Sequence, residues 1–150
     1  MSELRELYQS VILDHNKKPR NFGPLENANR VAAGHNPLCG DKIRLYLDLE
    51  NDVVKDIRFE GSGCAISKAS ASLMTQAVKG KPLEEVLRLF ESFRELVTGT
   101  SNEEVDADGL GKLAVFAGVR GFPMRVKCAT LAWHTLKNAI EESDETAKTE

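Results

Sequence analysis

The 150-residue chain lacks the features that define several large classes of protein. No stretch approaches the ~18 consecutive apolar residues of a membrane span, and the first thirty residues hold no apolar run ahead of a cleavage site. A cytoplasmic protein with no membrane partner is the expectation. Basic charge is not in excess either, because 20 Lys and Arg face 23 Asp and Glu for a formal net charge of −3. That balance argues against nucleic acid as a partner. No GxxxxGK[ST] phosphate loop occurs, and Gly61-Ser62-Gly63 is not continued in the GxGxxG register, so phosphate binding has almost no support. Cysteine is scarce, with three residues far apart and none in a CxxC pair. An odd, scattered set is no disulfide framework; in a reducing compartment such thiols are buried, catalytic or metal-bound.

What is present is enough for one core. With 41% hydrophobic and 29% charged residues the chain has the composition of a folded domain, and its length suits one domain better than two. Leu4, Leu7, Tyr8, Val11 and Ile12 share one helical face, and the pattern stops before Pro19. Residues 17–24 read as a connector, and Arg30 to His35 as a weak strand. Ile43, Leu45, Leu47 and Leu49 alternate with polar residues, and Val53, Lys55, Ile57 and Phe59 do so beyond a turn at Asn51 and Asp52, which predicts a hairpin. Ala65 to Lys79 is a small-residue helix with Ile66, Ala69, Leu73 and Ala77 on one side, ended by Gly80. Pro82 opens a helix carrying Leu83, Val86, Leu87, Phe90 and Phe93. Thr98 to Asp108 is loop-like, Leu110 to Gly118 is a short helical stretch, and Pro123 opens a last helix with Ala129, Ala132, Trp133, Leu136 and Ile140. The expected fold is α+β: a small, about three-stranded antiparallel sheet with helices on one face. One domain spans 1–140, and 141–150 forms a flexible charged tail.

Each cysteine falls at an element boundary. Cys39 and Asp41 flank Gly40, which permits a bend that would converge their donors. Cys64 follows Gly61-Ser62-Gly63 and opens a helix, where unpaired N–H groups and the helix dipole favour a thiolate. Cys128 lies about one turn after Pro123, and Arg125 and Lys127 beside it are expected to lower its pKa. Two readings stand at this point: three small buried hydrophobes, or one shared site. If the four donors converge, three thiolates and a carboxylate suit tetrahedral zinc, and iron-sulfur ligation is chemically allowed. His35, four residues before Cys39, is a weak ligand candidate, and His134 turns to the far side of its helix from Cys128.

Four segments carry a family resemblance: Leu13-Asp14-His15 followed by Pro19-Arg20-Asn21, the run Asn36-Pro37-Leu38-Cys39-Gly40-Asp41, the stretch from Gly61 through Cys64 to Met74, and Arg125-Val126-Lys127-Cys128-Ala129. In this order they resemble the SufU-type branch of the IscU and NifU amino-terminal family of iron-sulfur cluster assembly proteins, over the first helix to about Ile140. The resemblance implies an IscU/NifU-like fold with Cys39, Asp41, Cys64 and Cys128 as metal ligands. It implies zinc as the metal and a SufS-type cysteine desulfurase as partner, with downstream cluster scaffold proteins beyond it. The implied mechanism is persulfide sulfur relay, with Cys39 accepting sulfur, Asp41 orienting or releasing the metal, and Arg125 stabilising the anionic sulfur. The alternative is a scaffold for a [2Fe-2S] cluster. Lys127 argues against that, because the scaffold branch carries a histidine there; Asn16 also replaces a tyrosine usual after Asp-His.

Overall fold

The computed structural model describes residues 2–37, 39–98, 111–141 and 147–148. Strand β1 (Arg30–Asn36) buries Ala32, Gly34 and Asn36, and β2 (Asp41–Glu50) buries Asp41, Ile43, Leu45 and Leu47, each on alternate residues as one covered face requires. Strand β3 (Val53–Ser62) pairs with β2 through a two-residue turn at Asn51 and Asp52, both at positive φ, the backbone that tight hairpins need. Simple alternation fails in β3. A bulge between Asp48 and Leu49 shifts the register, so Val54, not Val53 or Lys55, turns inward together with Ile57 and Phe59.

The sheet order is β3-β2-β1-β4, in which β4 is Ala147–Lys148 and pairs parallel with Gly34 and His35. The three antiparallel strands match expectation, and this short fourth strand is an addition drawn from the charged tail. The remaining tail, 142–146 and 149–150, lies outside the described residues, as does most of the loop placed at 98–108.

Helices cover one face. Helix α2 (Ala65–Val78) and α4 (Pro123–Glu141) lie on the sheet, with α1 (Ser2–Lys17) packed against α2. Helix α3 (Leu83–Thr98) and a 3-10 helix (Gly111–Val119) complete the layer, the latter tighter than the helical stretch expected there. Because α2 is sandwiched between the sheet and α1, it buries Ser67, Ala69 to Thr75 and Val78, well beyond the single side expected. Small side chains are what allow this close approach. On α3, Leu87 is 41% exposed and lies off the buried face where it was expected. Phe93 stacks on Trp133 at 4.8 Å and meets Phe116 edge-on at 5.6 Å, closing the core between α3, α4 and the 3-10 helix.

The connector after α1 is fastened at several points. The Phe59 N–H donates to the Asn21 carbonyl, and the Gly23 N–H to the Phe59 carbonyl, so this segment runs beside β3 with Phe22 edge-on to Phe59. The Arg20 N–H donates to Ser72 Oγ at 2.8 Å, and the same oxygen lies 2.7 Å from Nδ1 of the buried His15. Asn21 donates from Nδ2 to Thr75 Oγ1. Among the described residues no helix is long and apolar enough to cross a membrane.

Candidate metal centre

Three chain segments deliver thiols and a carboxylate to one end of the domain. The first is the turn between β1 and β2, where Gly40 at φ +71° reverses the chain between exposed Cys39 and Asp41, the first residue of β2. Asp41 points inward because it shares the parity of Ile43 and Leu45, and it is fully buried. The second is the step from β3 into α2. There the Cys64 N–H donates to Asp41 Oδ1 at 2.8 Å, and Cys64 caps α2 by accepting from the Ser67 N–H at 3.4 Å. The third is the start of α4, which carries the buried Cys128 inward.

These segments fit closely at Gly63, whose φ is +140°. A Cβ there would stand 2.8 Å from Asp41 Cα and 2.9 Å from its Cγ, so a side chain is excluded on space as well as on backbone grounds.

The donors converge. The ligand atoms of Cys39, Asp41 and Cys128 lie within 4.8 Å of one another, and the Cys39 and Cys128 sulfurs are 3.4 Å apart. Cys64 borders this group, with Sγ 3.8 Å from Asp41 Oδ2. All four residues named from the sequence therefore meet at one place, three of them tightly and Cys64 at the edge.

Electrostatics divides the thiols. The Cys64 thiol is pushed down to about 7, mainly by its hydrogen bond with Cys128 and further by the Ser67 and Ile66 N–H groups of the helix start. Cys128 is pushed up, above all by that same bond, then by burial and by the Asp41 and Cys39 groups beside it. The expectation that Arg125 and Lys127 would lower the Cys128 pKa is thus overturned: the buried thiol faces other sulfurs and a carboxylate. Arg125 is exposed, with its guanidinium 4.5 Å from the Phe122 ring centre.

Asn36 is a site residue that sequence reasoning quoted in a motif without giving it a role. Fully buried, it donates from Nδ2 to Asp41 Oδ2 at 3.3 Å and reaches Cys128 Sγ at 3.6 Å. Its inward parity with Ala32 and Gly34 was the available signal. His35 takes the opposite parity, and half-buried His134 packs edge-on to Phe90 with its pKa lowered by burial. Neither joins the site.

A buried carboxylate held by neutral donors beside three thiols is an anionic cradle, and such a group needs a compensating charge. Cys39, Asp41 and Cys128 are close enough together to hold one divalent cation, with Cys64 at their edge, and the sulfur-rich character of the set suits zinc.

The fold and the site together define a thiol-rich metal-centre domain of α+β type. The chain belongs to the NifU-like N terminal domain family, whose model matches residues 7–129. It is 46% identical over 143 residues to the zinc-dependent sulfurtransferase SufU of Bacillus subtilis, covering 95% of each chain. It is also 46% identical to the iron-sulfur cluster assembly scaffold protein IscU of Streptococcus pyogenes, over 95% of this chain and 88% of that one. The crystal structure of FiSufU from Fervidobacterium islandicum AW-1 superposes with a TM-score of 0.82 at 38% identity, covering 90% of this chain and 97% of that one.

Proposed function

We propose that this chain serves iron-sulfur cluster assembly as a zinc-dependent sulfur acceptor, receiving persulfide sulfur from a pyridoxal-phosphate cysteine desulfurase. The observation that carries this reading is the division of labour within the cluster: Asp41 and Cys128 are buried, whereas Cys39, their close neighbour, is exposed on a bend. A donor that meets solvent is the one a partner's sulfur can reach.

In the transfer, Cys39 Sγ attacks the terminal sulfur of the partner's persulfide. A new sulfur–sulfur bond forms on Cys39, the partner's own bond breaks, and its cysteine departs as thiolate. Zinc, when bound, holds the thiols deprotonated and in place. Asp41, the hard donor in a soft set, would be the ligand that orients the metal or lets it go. Arg125, exposed one turn before Cys128, meets the anionic sulfur on its way in. Free thiols and a sulfur-relay role support a reducing, cytoplasmic setting.

The test is to isolate the protein, measure its bound metals, then incubate it with a desulfurase and cysteine and map persulfides by mass spectrometry. Zinc and a persulfide on Cys39 are expected. Bound iron with acid-labile sulfide would favour the scaffold reading, and zinc with inert thiols would overturn sulfur transfer.

A further inference from the structure

We propose that Cys128 is a resolving thiol, which releases sulfur carried on Cys39 as hydrogen sulfide by forming a Cys39–Cys128 disulfide. The inference rests on the sulfur-acceptor reading and gives that site a second outcome besides handover. Cys128 Sγ stands 3.4 Å from Cys39 Sγ, already at contact distance. Cys128 is 3% exposed and closes the inner side of Cys39, whose other side meets solvent. A sulfur added to Cys39 must therefore extend outward, away from Cys128. That leaves the bridging sulfur between a buried thiol and an outward leaving group, the opposed arrangement that thiol exchange requires.

The step balances without an outside oxidant. A bond forms between the Cys128 and Cys39 sulfurs, and the bond from Cys39 Sγ to the terminal sulfur breaks with its electron pair going outward. Cys128 gives up its proton as its sulfur attacks, and the departing sulfide takes up a proton from solvent and leaves as hydrogen sulfide. The terminal sulfur is reduced, and the two cysteines are oxidised to the disulfide, which a dithiol reductant returns to thiols. Cys64 borders this group, with its Sγ 3.8 Å from Asp41 Oδ2, and peptide mapping distinguishes it from Cys128 as the partner of Cys39. When Cys128 is engaged by a metal ion, its sulfur is occupied, so the metal-bound protein keeps the persulfide.

Trypsin places the three cysteines on separate peptides, 31–42, 59–68 and 128–137, so the pairing can be read directly. Protein as isolated is loaded by a desulfurase and cysteine, desalted, and divided, with a chelator added to one half. In the chelated half, one hydrogen sulfide per lost persulfide is expected, together with a crosslink between peptides 31–42 and 128–137. Cys128→Ser is expected to hold its persulfide after chelation. The proposal is overturned if the chelated protein keeps its persulfide, if sulfide leaves with both thiols free, or if peptide 59–68 supplies the crosslink. Failure to load any persulfide would instead overturn the acceptor reading, and the proposal with it.

Discussion

The backbone N–H of Cys64 donates to Asp41 Oδ1 across 2.8 Å, so the carboxylate that borders the thiols also ties the start of α2 to the start of β2. One side chain thereby serves both metal binding and folding. Asp41→Ala is expected to lose about 1–3 kcal/mol of stability from the unsatisfied N–H, and at least ~10-fold in metal affinity. Asp41→Asn keeps an acceptor and should lose the affinity with little of the stability. Urea unfolding and chelator competition separate the two effects, and equal behaviour of both variants would contradict this division.

Gly63 lies against Asp41 at positive φ, and the two constraints act together. Gly63→Ala is expected to cost about 1–3 kcal/mol, with metal content below one ion per chain because Asp41 must shift. The midpoint of denaturant unfolding and the metal content of the purified variant check this. A variant as stable and as metal-rich as the parent would show that the approach is looser than described.

In metal-free protein, Cys64 titrates at about 7 while Cys128 is pushed up, so stability is expected to peak with pH. Between pH 7 and the unfolded thiol pKa of about 8.5, the unfolded chain binds more protons than the folded one, and stability rises with pH. The Cys64 contribution is lost as pH falls through about 7. Above the unfolded pKa the sign reverses, because folded Cys128 keeps a proton that the unfolded chain has released. Unfolding of chelated protein across pH 6–10 should trace this maximum, and Cys64→Ser should lose the rising limb.

His15 is buried with its ring 2.7 Å from Ser72 Oγ, the same oxygen that accepts the Arg20 N–H. This arrangement joins α1 and the connector to α2 at Ser72, about two turns along the helix from Cys64. His15→Ala is expected to destabilise by about 2–4 kcal/mol through the lost bond and the space left behind, with metal affinity unchanged. Loss of metal in a folded His15→Ala protein would mean that the α1 contacts support the site.

Much of this architecture was legible because one covered sheet face leaves a period-two pattern in β2, and because Pro82 and Pro123 mark helix starts. The bulge at Asp48 and Leu49 was not, since a register shift belongs to the pairing of two strands and inverts which residue of Val53 and Val54 is buried. The four donors were readable one at a time as cysteine and aspartate beside glycine. Their convergence was not, since it depends on packing between segments up to about ninety residues apart. The Cys128 pKa was misjudged for the same reason: chain neighbours Arg125 and Lys127 were visible, and the sulfurs that meet it through space were not.

X-ray absorption at the zinc edge of the purified protein tests the central claim most directly, because it reads the donor atoms around the ion. Three sulfurs at ~2.3 Å and one oxygen at ~2.0 to 2.2 Å are predicted, the oxygen disappearing in Asp41→Ala and one sulfur in Cys39→Ser. A shell of nitrogen and oxygen alone, or one unchanged by both substitutions, would contradict a metal held by Cys39, Asp41, Cys64 and Cys128.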